Sequence, residues 1–248
     1  MFRASFYIAD ITVPKLSAGY MQHSIFTDVM KIYLVGNSVM SSEKMTITAN
    51  NAGYESVLEV LPVASNDSLL MVEQYKLNTS GTLDINVRGM MQYGRTNIDT
   101  TFKYNVNYTS SKIGGDIASR DGKYLISIPE NSLNEDMFLV AGMDLTLPGS
   151  QKLIKSDNLS KIYTIGPIGK QLNQGAKISI SLDGLDHNTV SIAFWDGNVW
   201  REIKTNLSID GLNVQGFGTH LGHYTLIPRG SGKPLAISEQ NKIPTSYS

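Results

Sequence analysis

The chain has 248 residues, a formal net charge of -1, and 17% charged against 41% apolar residues. That charge balance offers no basic field for a phosphate backbone, so nucleic acid is not an expected partner. The apolar content excludes a disordered chain, and no apolar run reaches the roughly 18 residues that span a bilayer. The start, Met1-Phe2-Arg3-Ala4-Ser5-Phe6-Tyr7, has no apolar stretch followed by a small-residue cleavage site. Either the protein is cytoplasmic, or the chain is a piece whose signal has been removed. Cysteine is absent, which excludes disulfides, thiolate metal centres and a thiol nucleophile together.

Taken in order, the chain reads as strands. Ile32-Tyr33-Leu34-Val35 is a dense apolar run of the kind found in the middle of a sandwich. Met45, Ile47 and Ala49 alternate with Thr46, Thr48 and Asn50, and Leu83, Ile85 and Val87 alternate with Asp84, Asn86 and Arg88. This period of two predicts strands with one buried face. The loop between them, Ala64-Ser65-Asn66-Asp67-Ser68, has no Asp-Gly signal. Tyr108-Thr109-Ser110-Ser111-Lys112, followed by Gly114-Gly115, is a polar break that predicts a domain boundary near residue 110. Beyond it the turn chemistry changes. Asp121-Gly122, Asp183-Gly184, Asp196-Gly197 and Asp210-Gly211 predict tight hairpins, because primed turns need positive φ. Ser132 to Val140 is the best helical candidate and would make only two turns.

Ile178, Ile180 and Leu182 again alternate with Ser179 and Ser181, and Ile192-Ala193-Phe194-Trp195 is a second dense run. Pro228 is expected to stop the last strand, Tyr224 to Ile227. The remainder, rich in Gly, Ser and polar residues, reads as a tail with few apolar anchors: Leu235, Ile237, Ile243 and Tyr247. The expected fold is all-β, with two tandem antiparallel sandwiches at 1–110 and 111–228, minimal helix, and a flexible tail at 229–248.

Residues 113–228 resemble the ZU-type β-sandwich of netrin receptors, ankyrins and bacterial surface proteins. The resemblance lies in Gly122-Lys123-Tyr124-Leu125-Ile126-Ser127-Ile128-Pro129, Gly166-Pro167-Ile168-Gly169, Phe194-Trp195-Asp196-Gly197-Asn198-Val199-Trp200 and Gly222-His223-Tyr224-Thr225-Leu226. Residues 2–107 are similar to bacterial immunoglobulin- or fibronectin-like modules, through Lys31-Ile32-Tyr33-Leu34-Val35 and Tyr75-Lys76-Leu77 leading into Gly81–Val87. Ile243-Pro244-Thr245-Ser246-Tyr247-Ser248 resembles the linker before the C-terminal sorting domain of type IX secretion cargo in Bacteroidetes. That resemblance implies a larger secreted or surface-attached parent protein.

Catalytic patterns are missing. Of the histidines His23, His187, His220 and His223, the last two stand three apart. On one strand they would face opposite sides and could share a metal only through a bend, which Gly216, Gly218 and Gly222 would permit. Related sandwiches that cut themselves use a His-Phe-Ser or His-Leu-Thr/Ser sequence; here His220-Leu221-Gly222 lacks the hydroxyl nucleophile. No Gly-x-Ser-x-Gly elbow or phosphate loop occurs, and Gly149-Ser150 follows a proline. Glu135-Asp136 reads as a solvated turn or helix start rather than a glycosidase pair. Asp183-Gly184-Leu185-Asp186-His187-Asn188 offers three oxygen-bearing side chains, a turn with some calcium-loop character but no EF-hand pattern.

The sites that remain are Trp195 and Trp200, which a tight turn at Gly197-Asn198 would place as a directly opposed pair, either core or a platform for a sugar ring. The leading functional expectation is a non-catalytic accessory region, a spacer, docking or presentation element, with no cofactor and no catalytic or metal site. Its partners would be other domains of the parent protein and a glycan or cell-surface protein. The alternative is a carbohydrate-binding or adhesive module using the Trp195/Trp200 face.

Overall fold

A computed structural model describes residues 16–23, 25–36, 39–59, 61–62, 69–91, 96–143, 161–231 and 233–234. Strands dominate, in chain order: β1 (Leu16–Gln22), β2 (Val29–Gly36), β3 (Met40–Asn51), β4 (Tyr54–Leu58), β5 (Leu61–Pro62), β6 (Leu69–Lys76) and β7 (Gly81–Met91). Then come β8 (Thr96–Thr109), β9 (Gly115–Ala118), β10 (Tyr124–Ile128), β11 (Met137–Met143), β12 (Tyr163–Gly166) and β13 (Gln171–Ser181). The series closes with β14 (Val190–Trp195), β15 (Trp200–Glu202), β16 (Thr205–Leu207), β17 (Asn213–His220), β18 (His223–Pro228) and β19 (Lys233–Pro234). No helix occurs among the described residues, so none there is long and apolar enough to cross a membrane. The fold is all-β.

The strands form three sheets. A ten-stranded sheet has the order β19-β15-β14-β18-β12-β11-β8-β7-β3-β4; a four-stranded sheet is β1-β2-β6-β5; a five-stranded sheet is β16-β17-β13-β10-β9. The pairings are antiparallel except the short β15–β19 contact. The alternating segments behave as their pattern demands. Ile47 pairs with Val87 and Ala49 with Ile85, and all four are fully buried. Ile126, Ile178 and Gly216 stand in one row across the five-stranded sheet.

Two cores result, on opposite faces of the large sheet. The four-stranded sheet packs Met30, Ile32, Leu34 and Leu70 against Ile47, Leu83, Ile85, Tyr104 and Val106. The five-stranded sheet packs Tyr124, Ile126, Ile178 and Val214 against Leu139, Ile165, Ile192 and Leu226. β11 is where the faces exchange. Met137, Leu139 and Ala141 enter the second core, whereas Val140 enters the first and Phe138 packs against it. Side chains alternate along a strand, so one strand can feed two cores.

The large sheet is continuous because β8 runs past the first sandwich and pairs with β11, Thr109 with Met137 through Tyr104 with Gly142. Side chains reinforce the junction. Tyr20 Oη donates to the Val140 carbonyl at 2.5 Å, and Gln22 Nε2 donates to the Phe138 and Thr27 carbonyls. The Phe138 amide donates to Thr27 Oγ1 at 3.2 Å.

Three expectations change. Ser132 to Val140 is not a helix: Met137–Val140 is strand, because β8 offers a ladder partner and the alternating side chains have a core on each face. Asp183-Gly184 does not make a hairpin. Both residues have positive φ, but β13 and β14 lie in different sheets and the turn carries the chain across the sandwich. The expected last strand, β18, does end at Pro228, but the start of the 229–248 tail is held to the sandwich. Arg229 donates its amide to the Thr189 carbonyl at 2.9 Å, its guanidinium to the carbonyls of His187, Asn188 and Val190, and Lys233–Pro234 pairs with β15. Residues 1–15, the loop 64–68, Gly149-Ser150 and the tail from 235 lie outside the described residues.

Candidate functional site

The β14–β15 hairpin is built by its turn. The Asp196 amide donates to the Val199 carbonyl at 3.2 Å, and Gly197 supplies a φ of 96°. The Asp196 carboxylate accepts from the amides of Val199 at 2.7 Å and Asn198 at 2.9 Å, and from Arg201 Nε at 2.6 Å. These bonds, the Val199 amide first, hold its pKa below the ordinary carboxylate value. Trp195 and Trp200 are then direct cross-strand partners, with ring centroids 5.3 Å apart and planes at 59°. Both are half-buried.

Trp195 lines a cleft of about 480 Å³ at one end of the second sandwich, with Phe194, Asp196, Gly197, Ile168, Gly169, His220, Leu221, Gly222 and His223. Trp200 stands behind Trp195 and is not part of the lining. Another wall is the turn after the cis Gly166–Pro167 peptide, tied down by the Gly169 amide on the Leu221 carbonyl at 2.8 Å.

The two histidines meet here because they are not on one strand. His220 ends β17 in the five-stranded sheet, and His223 starts β18 in the ten-stranded sheet. Leu221, buried in the second core, is the crossing point. The His220 ring stacks on Phe194, centroids 5.9 Å apart and planes at 5°, and its Nδ1 lies 3.0 Å from Thr219 Oγ1. His223 is 6% exposed, with Nδ1 at 2.7 Å from the buried Thr164 hydroxyl. Burial lowers its pKa from 6.5 to about 4, so it is neutral at physiological pH.

Glycine forms much of the remaining lining, exposed at Gly169 and Gly197 and buried at Gly222. A Cβ built on Gly169, Gly197 or Gly222 meets nothing within 4 Å. Gly222 differs from the other two in lacking a positive φ. The histidine pair and the glycines were visible in the sequence, but a single-strand reading of 219–224 separated what a sheet-to-sheet crossing brings together.

The other acidic candidates are engaged in structural bonds. Asp183 pairs with Lys123 at 2.5 Å, while the Asp186 carboxylate accepts from the Asn188 amide at 2.9 Å and side-chain nitrogen at 3.1 Å. Asp136 caps Ser111, accepting from its amide at 2.7 Å and hydroxyl at 2.8 Å, and Glu135 pairs with Lys170. No group of three or more His, Cys, Asp or Glu able to hold a metal occurs among the described residues. A second hollow, about 600 Å³ along β7 and β8, is edged by the exposed Arg88–Asp99 pair and has no aromatic wall. No family model matches the chain, and no curated protein matches it.

Proposed function

We propose that this chain is a non-catalytic presentation and docking region of a larger secreted or surface-attached bacterial protein. The ten-stranded sheet shared by both sandwiches carries the reading. Inter-strand hydrogen bonds across β8 and β11 fix the two halves against each other without a linker hinge, which suits an element that holds other domains at a set separation. The carboxylates described above spend their hydrogen bonds on turns and ion pairs, the pattern of a scaffold. The ZU-type and immunoglobulin-like resemblances, and the type IX cargo character of 243–248, are the basis for the bacterial surface address; fold alone does not supply a function.

Two measurements on native material test this. Proteinase K treatment of intact source cells is expected to degrade the protein while a cytosolic marker survives. Peptidase, esterase and glycosidase substrate panels are expected to show no turnover by the purified chain. Protection from the protease in intact cells, or turnover abolished by a single substitution in the chain, overturns the proposal.

A further inference from the structure

The cleft beside Trp195 has a chemistry that a purely structural end of a sandwich does not need. One wall is aromatic, with Trp195 and the stacked Phe194–His220 pair. Another part is exposed glycine backbone at 169 and 197, where a ligand can approach the main chain closely, and the lining Gly222 is itself buried. The charged lining group, Asp196, is neutralised by Arg201 at 2.6 Å. The His223 imidazole is buried, and its Nδ1 is engaged by Thr164, which leaves Nε2 as the ring nitrogen available to the cleft. A neutral imidazole offers there one donor or one acceptor, according to the tautomer. The volume, about 480 Å³, falls in the range of small-molecule sites.

We propose that this cleft binds a neutral, hydroxylated ring, one unit of an oligosaccharide, stacked on the Trp195 indole and hydrogen-bonded to His223 Nε2. The indole supplies a flat apolar face for the ring's C–H surface. A hydroxyl matches the imidazole because it donates and accepts with equal ease. A charged sugar is disfavoured, because among the described lining residues the one carboxylate, Asp196, is already paired and no Lys or Arg stands ready to compensate its desolvation. Trp200 acts as a positioning residue: packed on Trp195 across the hairpin, it fixes the angle of the stacking indole. This site is independent of the presentation role and would let a scaffold also hold a surface glycan.

The test is a titration of the isotopically labelled full chain, followed by amide and indole resonances. The probes are cellotetraose, mannotetraose and tri-N-acetylchitotriose, with trigalacturonic acid as the charged control and toluene as the apolar control. At least one neutral saccharide should shift the Trp195 indole and the amides of Gly169, Gly197 and Gly222 together. Trp195→Ala should weaken that binding by about tenfold or more. Gly222→Val should block it, since the new side chain enters the open space at a position without a positive φ. An unchanged amide spectrum elsewhere keeps that result separate from unfolding. The proposal is overturned if no neutral saccharide moves these resonances at millimolar concentration, if the shifts map elsewhere, or if only the charged or apolar probe binds there.

Discussion

Gly142 and Gly222 show how differently the same residue is constrained. A Cβ on Gly142 would enter the ring of Tyr104, which is 1% exposed and has Tyr20 edge-on at 5.3 Å. Both rings are buried, so Gly142→Ala should cost about 1–3 kcal/mol through overpacking. Gly222→Ala meets no atom within 4 Å and should stay within about 0.5 kcal/mol of the parent. Urea denaturation of the two variants checks the contrast; equal midpoints would remove the case for Gly142 as a close-approach position. His223 gives a second prediction. Its folded pKa is near 4 against 6.5 for the ordinary group. Between those values the unfolded chain binds the extra proton, so stability rises with pH across the window. The contribution is fully present above about pH 6.5, is lost as pH falls toward 4, and amounts to about 3 kcal/mol. The difference in unfolding free energy between parent and His223→Gln should therefore change across pH 4–6.5 and level off on either side. A difference that stays constant with pH would show that His223 is not held neutral by burial.

At the scale of the element, the β14–β15 hairpin depends on one carboxylate that accepts three hydrogen bonds. Asp196→Ala removes all three from a partly solvated turn and should cost about 0.5–1.5 kcal/mol. It should also weaken the exciton couplet of the Trp195–Trp200 pair in circular dichroism, and an undiminished couplet would mean that the strands alone hold the indoles. This hairpin was legible in the sequence, since Asp-Gly between two apolar runs states both the turn and the opposed tryptophans. The buried sets Ile47/Ala49 and Leu83/Ile85/Val87 were legible for the same local reason, a period of two. What was not legible depends on partners far along the chain. Met137–Val140 has too short a pattern to reveal itself as a strand feeding two cores, and only the β8 ladder decides it. Asp183-Gly184 has the local signature of a hairpin, but the identity of the sheet its next strand joins is not written in the turn. The His220/His223 cleft fell to the same difficulty: spacing of three implies separation on a strand and proximity across a crossing.

For the whole molecule, the consequence of the shared sheet is mechanical and thermodynamic coupling. Val140 belongs to the first core while its neighbours Leu139 and Ala141 belong to the second, so loosening either core disturbs a strand of the other. The Tyr20 hydroxyl on the Val140 carbonyl and the Gln22 amide on the Phe138 carbonyl add ties from the four-stranded sheet to the same strand. Tandem domains joined by a flexible linker would instead unfold separately, each with its own midpoint. The two tryptophans, 195 and 200, both report on the second sandwich, which makes the coupling measurable from a distance. Ile47 is fully buried in the first core and belongs to that cluster alone. Ile47→Ala should destabilise by about 2–5 kcal/mol. If the sheet transmits that loss, the urea midpoint read by tryptophan fluorescence should fall together with the midpoint read by far-ultraviolet circular dichroism. If the fluorescence midpoint stays where it is in the parent while circular dichroism splits into two steps, the sandwiches are thermodynamically separate and the continuous ladder between β8 and β11 does not couple them.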